Sequence, residues 1–208
     1  PSREAIIART LGARRALLSV IDSPAFAMLA EIVNFLMEVL STLIGGACLL
    51  RMYMRWRTIS MIGQVGRFVM ALTDWLVKPL QRILPPTGRI DAASLLGAWL
   101  LKMLQYAVFL LLTGLTSWAL LPVLALLGVV KLAASVATAV IIVAAVLSWT
   151  QNRTPIADVL DRLTAPLLAP LRRVVPLVGS VDLSPLIAVV VLQVLAMVLG
   201  ALQARLLG

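Results

Sequence analysis

The chain carries one set of charged and structure-breaking residues twice, at a constant spacing of 91 positions. Residues 72–104 and 163–195 align without a gap, and 12 of the 33 positions are identical. The matched pairs are Thr73 and Thr164, Pro79 and Pro170, Arg82 and Arg173, Pro85 and Pro176, Gly88 and Gly179, and Asp91 and Asp182. Shared apolar composition can match leucines, but it does not match six such residues in register. The sequence therefore predicts two copies of one structural unit.

The repeated arginine is the residue of this motif that can bind a ligand. The guanidinium groups of Arg82 and Arg173 can form charge-assisted hydrogen bonds with a lipid phosphate or with acidic groups of a partner. Alternatively, each arginine satisfies loop carbonyls or pairs with Asp91 or Asp182. Three further arginines belong to the predicted binding surface, namely Arg51, Arg55 and Arg172.

The repeated aspartate and glycine have structural explanations. Asp91 and Asp182 each stand just before an apolar stretch, where a carboxylate can cap the first N–H groups of a helix at a membrane boundary. Gly88 and Gly179 fit a turn that needs a positive φ angle.

The residue content excludes most catalytic chemistry. There is no histidine, and Cys48 is the single cysteine. Zinc, copper and haem sites depend mostly on these two residue types, and a Ser-His or Cys-His nucleophile pair needs them as well. The nine acidic residues are scattered along the chain. We therefore expect no metal, no cofactor and no enzymatic activity.

The elements that position these residues must lie in a membrane. Of the 208 residues 62% are hydrophobic and 13% are charged, and the mean hydropathy is +1.04, whereas soluble domains carry roughly a quarter of charged residues. Four spans are predicted, at residues 24–50, 92–114, 120–149 and 184–202. The net charge of +9 then bears on topology and on anionic lipids rather than on nucleic acid.

Between the spans of each unit the pattern predicts an amphipathic helix. After Thr154 and Pro155, apolar residues recur with helical spacing at Ile156, Val159, Leu160, Leu163 and Leu167. Charged residues fall on the other side, which is typical of a helix lying at the membrane interface. In the first copy Val69, Leu72, Leu76 and Ile83 take the same part. Pro79 and Pro170 are expected to bend or break these helices.

The predicted fold is an all-α membrane protein of four transmembrane helices in two parallel repeats, each with an amphipathic interfacial helix in its loop. Repeat 1 covers residues 24–114 and repeat 2 covers residues 115–208. Because each unit has an even number of spans, both copies should have one orientation and be related by a pseudo-twofold axis along the membrane normal. Residues 1–23 form a basic amphipathic tail, either an interfacial anchor or a partly ordered segment.

The doubled pattern resembles a known family. The pattern T-x-x-x-x-x-P-[LI]-x-R-x-[ILV]-P-x-x-G-x-[IV]-D, followed by a span, is similar to that of the YggT family, called YlmG in some bacteria. Residues 50–56 resemble the end of its first span, and residues 148–149 and 153–156 resemble the corresponding stretch of its second copy. The resemblance covers about residues 35–202.

The family resemblance implies a small multi-pass protein of the bacterial inner membrane. Bacterial members are associated with osmotic tolerance, potassium uptake or cell division, and a chloroplast relative with haem attachment during cytochrome assembly. Since this chain lacks histidine and has one cysteine, any such role here would be that of a scaffold.

Two functions are consistent with these observations. The first is a non-enzymatic scaffold or accessory subunit that presents its paired basic loops to partner proteins or anionic lipids; the partner would be another membrane protein or a second copy. The alternative is a transport or channel component in osmotic or potassium homeostasis. That function needs oligomers and a polar stripe through the spans, and only Glu31, Asn34 and Glu38 of the first span supply one.

Four charges fall within the predicted spans, and ionisable groups there usually pair. Counting helix rise from the loop side, Glu38 lies about 20 Å deep and Lys102 about 16 Å deep, while Glu31 and Lys131 lie about 30 and 27 Å deep. We therefore predict the pairs Glu38 with Lys102 and Glu31 with Lys131. Gln193 occupies the Lys102 position of the second copy.

The charge distribution predicts the topology. The two repeat loops hold eleven of the eighteen Lys and Arg residues: Arg51, Arg55, Arg57, Arg67, Lys78, Arg82, Arg89, Arg153, Arg162, Arg172 and Arg173. Because basic loops stay in the cytoplasm, both repeat loops should be cytoplasmic and both termini outside. Cysteines introduced into the loops should be protected from an impermeant thiol reagent in intact cells. Labelling of these cysteines would contradict the assignment.

Overall fold

A computed structural model of the protein describes residues 23–59, 63–85, 91–115, 117–149, 155–174 and 182–207. Every regular element in these ranges is helical. The helices are α1 (Pro24–Trp56), α2 (Gln64–Ile83), α3 (Ala92–Thr113), α4 (Leu121–Trp149), α5 (Pro155–Val174) and α6 (Ser184–Leu207), with a 3-10 turn at Trp118–Leu120 before α4. The tail up to residue 22, Gly88, Pro176 and Gly179 lie outside the described residues.

Four of the helices are long and apolar enough to cross a membrane. They are α1, α3, α4 and α6, so the prediction of an all-helical chain with four candidate spans is confirmed. Two helices run beyond the predicted spans. Helix α1 continues through the arginine-rich segment to Trp56, and α6 continues to Leu207.

The short helices α2 and α5 each pack one side against the long helices. In α2 the buried positions are Gly66, Val69, Thr73 and Val77. In α5 they are Leu160, Leu163, Thr164 and Leu168. This spacing of three and four residues places each set on one helix face.

The repeated prolines do not break these two helices. Helix α2 continues past Pro79 to Ile83, and α5 continues past Pro170 to Val174. Of the two expected outcomes, a bend or a break, the break is therefore wrong and the bend stays a prediction. A proline removes one backbone hydrogen bond, but the turns before it are held by packing: Val77 is fully buried and Leu168 nearly so.

The ends of the long helices follow local residue chemistry. The Asp91 side chain caps α3 by accepting a hydrogen bond from the Ser94 N–H, as predicted. Gly114 ends α3 at a φ angle of +69°, a left-handed conformation that glycine adopts without steric cost. Pro122 lies in the first turn of α4, where a missing N–H costs nothing.

The two halves of the chain pack through α3 and α4, without an equivalent contact between α6 and α1 among the described residues. Within each half the long helices pair, α1 with α3 and α4 with α6, and between the halves α3 packs along α4. A twofold relation would place α6 against α1 in the same way, but the described residues show no comparable contact. The arrangement therefore departs from the predicted pseudo-twofold symmetry.

The packing of α3 against α4 depends on Gly128, which leaves room for a side chain of α3. A Cβ atom at Gly128 would lie 2.8 Å from Cε2 of Tyr106 on α3, so a larger residue does not fit. Gly128 stands 21 residues before Trp149, and the residue 21 positions before Trp56 is Phe35. The Phe35 side chain is exposed. The first span thus carries a bulky residue where the α4 surface has a gap.

This contact can be tested by adding one methyl group. Gly128→Ala should lower the free energy of unfolding by about 1–3 kcal/mol, because the new methyl forces the Tyr106 ring to move. Gly200→Ala is the matched control, since its Cβ would lie 3.7 Å from the nearest atom, the Lys131 ammonium nitrogen. In a helix with free space, Gly to Ala stabilises. Thermal unfolding in detergent measures both variants, and equal effects would contradict the packing argument.

Candidate binding site at the loop end of the spans

A buried ion-pair network joins the loop ends of the first three helices. Nη1 of Arg51 on α1 lies 2.6 Å from Oδ1 of Asp74 on α2, and it donates a hydrogen bond to Thr73 Oγ1 at 2.9 Å. Its Nε lies 3.5 Å from Oδ2 of Asp91. Arg51 is 8% exposed. A guanidinium with five N–H donors suits such a branched contact, and here it ties α1 to both α2 and the start of α3.

Asp91 is the most enclosed member of this network. It is fully buried, and besides capping α3 it accepts from Gln81 Nε2 at 3.3 and 3.4 Å. Nη1 of Arg55 lies 3.8 Å from its Oδ2. A carboxylate this deep needs several donors to offset the loss of water, and α1, α2 and α3 each supply at least one.

A cavity of about 240 Å³ opens beside this network, lined by Arg51, Arg55, Met70 and Asp91. Arg51 is committed to two carboxylates, whereas the Arg55 side chain is 37% exposed. Arg55 is therefore the member of this pair of arginines that can reach an additional anionic group. The structure gives Arg51 an internal role, and its role in binding stays a prediction.

Lys78 pairs with Asp74 at the outer edge of the network, one helical turn along α2. Lys78 Nζ lies 2.8 Å from Oδ2 of Asp74. This hydrogen bond lowers the pKa of the Asp74 carboxyl; burial opposes the shift, and the contacts with Arg51 add to the lowering. A carboxyl with a lowered pKa contributes stability at neutral pH that is lost as the pH falls through its folded value.

The second copy has a simpler version of the same site. Nε of Arg172 lies 2.8 Å from Oδ2 of Asp182, and Oδ1 of Asp182 accepts from the Ser184 N–H at 2.9 Å. Burial raises the pKa of the Asp182 carboxyl, but Ser184 and Arg172 together lower it by more, so that it lies below its ordinary value. Arg172 corresponds to Gln81 at the spacing of 91, so the same position contacts the repeated aspartate in each copy.

The repeated threonines also make matching contacts. Thr73 Oγ1 donates to the carbonyl of Val69 at 2.8 Å, and Thr164 Oγ1 donates to that of Leu160 at 3.0 Å. Both are buried. A hydroxyl on the packed face of a helix is thereby satisfied within its own helix.

The repeated arginines are the exposed charged residues of the motif. Arg82 and Arg173 each lie one residue before the end of α2 and α5, and both are exposed. Neither forms a hydrogen bond or ion pair with another described residue. The alternative pairing with the repeated aspartates is not formed: Asp91 is held by Arg51 and Gln81, and Asp182 by Arg172. Pro85, also of the motif, lies just beyond α2 and is exposed.

A second polar cluster lies in the middle of the spans. Lys102 is buried, and its Nζ lies 2.8 Å from Gln105 Oε1 and 3.2 Å from Ser41 Oγ. Ser41 Oγ also donates to Gln105 Oε1 at 2.6 Å. In the part of the chain that the structure describes, no ion pair joins Lys102 to Glu38 or Lys131 to Glu31. Glu38 lies within electrostatic range of Lys102 without contacting it.

Sequence reasoning missed the neutral members of both sites. Gln203 Nε2 of α6 donates to the Tyr106 hydroxyl at 2.7 Å and to the Leu124 carbonyl at 3.2 Å, which links three spans. Asp74 was also missed, although its spacing of four residues from Lys78 was an available signal. No comparable signal marks Ser41 or Gln105, because single polar residues in a span have no periodic pattern.

An apolar crevice of about 210 Å³ lies between the two halves, beneath α5. It is lined by Leu49, Leu50, Met52, Tyr53, Ala133, Val136, Ala137, Val140, Leu163 and Leu167. The Tyr53 hydroxyl donates to the Leu163 carbonyl at 3.0 Å and so links α1 to α5 at this crevice.

Four long apolar helices and a charge network at one end of them are typical of a helical membrane protein. The sequence profile of CCB3/YggT matches it twice, over residues 26–112 and 123–203. The chain therefore belongs to the CCB3/YggT family.

Relatives of similar length support the same assignment. An uncharacterised protein of Escherichia coli K12 named YggT is 34% identical over 168 residues, which is 79% of this chain and 87% of the relative. An uncharacterised protein of Vibrio alginolyticus, named for the proC 3' region, is 33% identical over 80% of this chain and 92% of its own length. The Pseudomonas aeruginosa protein PA0392 is 28% identical over 78% and 85%. No solved structure matches the chain.

The two repeated aspartates should differ sharply in their contribution to stability. Asparagine keeps a side-chain oxygen for capping and removes the charge. Asp91→Asn leaves the buried Arg51 with one carboxylate fewer, and we expect a loss of roughly 3 kcal/mol. Asp182→Asn is the matched control: its partner Arg172 is 54% exposed, so we expect less than about 1 kcal/mol. Thermal unfolding in detergent measures both, and equal losses would contradict the role of the network.

Proposed function

We propose that this protein is a non-enzymatic inner-membrane scaffold or accessory subunit, which presents paired basic surfaces at its loops to anionic lipids or to acidic groups of partner proteins. The observation that carries the proposal is the state of Arg82 and Arg173. Both are exposed, both lie at the end of a short helix, and neither has a partner among the described residues. The other charged residues of the loop ends mostly pair with one another.

The pairing of these surfaces rests on an internal repeat of two parallel units. The family profile matches the chain twice, α2 and α5 begin and end at the same spacing of 91 residues, and Thr73 and Thr164 make equivalent hydrogen bonds. In this proposal α2 and α5 lie along the cytoplasmic membrane surface. Their buried faces contact the spans, and their arginines reach the headgroup region.

Anionic lipid is a chemically suitable partner for these surfaces. Arginine binds phosphate through paired, charge-assisted hydrogen bonds. Near the loop end, the crevice between α1 and α4 is almost wholly apolar in its lining, and an acyl chain fits such a space. A lipid bound there would contact both halves of the chain.

A transport or channel function is the second candidate, and one observation favours it. Lys102, Ser41 and Gln105 form a buried hydrogen-bonded cluster in the middle of the spans. Ionisable residues at this depth often mark ion or proton pathways. Ion flux into liposomes containing the purified protein, abolished by Lys102→Met, would favour this function over the scaffold.

The scaffold proposal predicts a specific loss of lipid retention. The double variant Arg82→Ala with Arg173→Ala should lose most of the cardiolipin that co-purifies with the protein, measured by mass spectrometry, at an unchanged unfolding temperature. Lysine at both positions should restore the retention only in part, because the bidentate guanidinium geometry is lost.

The control removes two other charges from the same helices. Arg67 and Arg162 are exposed residues of α2 and α5, and Arg67→Ala with Arg162→Ala should leave cardiolipin retention near the parent value. If both double variants lost cardiolipin equally, the retention would depend on overall positive charge and not on Arg82 and Arg173. A loss of retention that parallels a loss of stability would make Arg82 and Arg173 structural residues.

A further inference from the structure

The cavity beside Arg51 and Arg55 contains hydrogen-bond donors that the ion-pair network leaves unused. Nη1 and Nε of Arg51 contact Thr73 and two carboxylates, but its Nη2 forms no hydrogen bond or ion pair with a described residue. Arg55 contributes only Nη1 to the network, at 3.8 Å from Asp91 Oδ2. Its Nε and Nη2 have no partner among the described residues either. Two guanidinium groups with spare N–H donors therefore line one cavity.

The lining of this cavity carries a surplus of positive charge. Arg51 and Arg55 contribute two positive charges, and Asp91 contributes one negative charge. The Asp91 oxygens are already occupied, because they accept from Gln81 and from the Ser94 N–H and face the Arg51 guanidinium. The charge that is left stands on Arg55, and a guanidinium forms paired, charge-assisted hydrogen bonds with an oxyanion. The cavity therefore suits an anion with several oxygen acceptors.

The position of the cavity along α1 indicates which oxyanion this is. Arg55 directly precedes Trp56, the last residue of α1, and the exposed Trp56 ring has its centroid 6.0 Å from that of Tyr53. Tryptophan and tyrosine at the end of a span are typical of the membrane–water interface. Lipid phosphates lie in this layer, and basic pockets between transmembrane helices recognise them. The location therefore favours a phosphate group over a carboxylate of a soluble partner.

The second half of the chain has no equivalent of this pair of arginines. Counted from the tryptophan that ends each helix, Arg51 corresponds to Ala144 and Arg55 corresponds to Ser148. The repeated arginines at the ends of α2 and α5 do not line the cavity. The internal repeat therefore predicts one such site in each chain, whereas the surfaces of the proposed function occur as a pair.

We propose that this cavity binds one phosphate group, which the Arg55 guanidinium holds with Nη2 of Arg51 as a further donor. Anionic phospholipids and inorganic phosphate both carry this group, and the interfacial position of the cavity favours the lipid. The proposal concerns the same ligand chemistry as the scaffold proposed above, but it assigns a different site and does not depend on Arg82 or Arg173.

Binding of phosphatidylglycerol to the purified, delipidated protein in detergent tests the site. The chain that carries Arg82→Ala and Arg173→Ala should still bind one phosphatidylglycerol, measured by native mass spectrometry. Adding Arg55→Ala to this chain should weaken the binding by at least about tenfold in Kd, equal to about 1.4 kcal/mol, because the paired hydrogen bonds to the phosphate are lost.

The matched control is Arg57→Ala in the same background. Arg57 is an exposed arginine two residues further along the chain, and it does not line the cavity. This variant should leave the Kd for phosphatidylglycerol near that of the background chain. Equal losses in the Arg55 and Arg57 variants would make the effect one of overall charge and would overturn the proposal.

Inorganic phosphate distinguishes the two sources of the group. If the ligand is a lipid, phosphatidylglycerol should raise the unfolding temperature and millimolar phosphate should not displace it. If the ligand is free phosphate, millimolar phosphate alone should raise the unfolding temperature and displace the lipid. In either case Arg55→Ala should abolish the stabilisation. A chain that neither compound stabilises would contradict the proposal.

A second variant fills the cavity without removing a charge. Met70 is a half-buried residue of the lining, and Met70→Trp should weaken phosphatidylglycerol binding as much as Arg55→Ala does. Met70→Leu, which nearly conserves the side-chain volume, should not. Because every arginine and aspartate remains, this comparison tests the site even if Arg55→Ala lowers the stability of the chain. Binding that persists at full strength in Met70→Trp would place the phosphate outside the cavity and refute the proposal.

The two proposals give different results in these measurements. Loss of co-purifying cardiolipin in the Arg82→Ala and Arg173→Ala chain tests the paired surfaces alone. Binding that remains in this chain and is then lost with Arg55→Ala tests the cavity alone.

Discussion

The Arg51 guanidinium holds the loop end of this protein together. It contacts Asp74 of α2 and Asp91 at the start of α3 from a position near the end of α1, and it does so while almost fully buried. Three consecutive helices therefore converge on one side chain. The charge of Asp91 is tolerated in an enclosed position because this cation and several hydrogen bonds surround it.

The ion-pair network also determines which charged residues are left to form a binding surface. Arg51, Asp74, Lys78 and Asp91 neutralise one another, and Arg172 is held by Asp182. Among the described residues, Arg82 at the end of α2 and Arg173 at the end of α5 have no such partner. Arg82 and Arg173 thus place exposed positive charge at matching positions in the two halves of the chain.

Local features of the fold could be predicted from the sequence, and contacts between helices could not. Asp91 as a helix cap and Pro122 in a first helical turn depend on a few neighbouring residues, and both predictions are confirmed. The contact of Arg51 with Asp74 depends on how α2 folds back on α1. Repeat comparison gives no guide either, since the second copy has Ala165 in place of Asp74. The charge pairs predicted within the spans used depth alone. Depth leaves the direction around each helix undefined, and Lys102 turns toward Ser41 and Gln105 instead.

The ion-pair network occurs in the first copy alone among the described residues, and this bears on how the chain is made. The residue five places before Trp56 is Arg51, whereas the residue five places before Trp149 is Ala144. The half that leaves the ribosome first is therefore the half that carries its own ionic clamp, and it can lock α1 to α3 before α4 is synthesised. The later half then packs against the first, and Tyr106 of α3 fills the gap at Gly128 of α4. The first half is then the surface against which the second half packs.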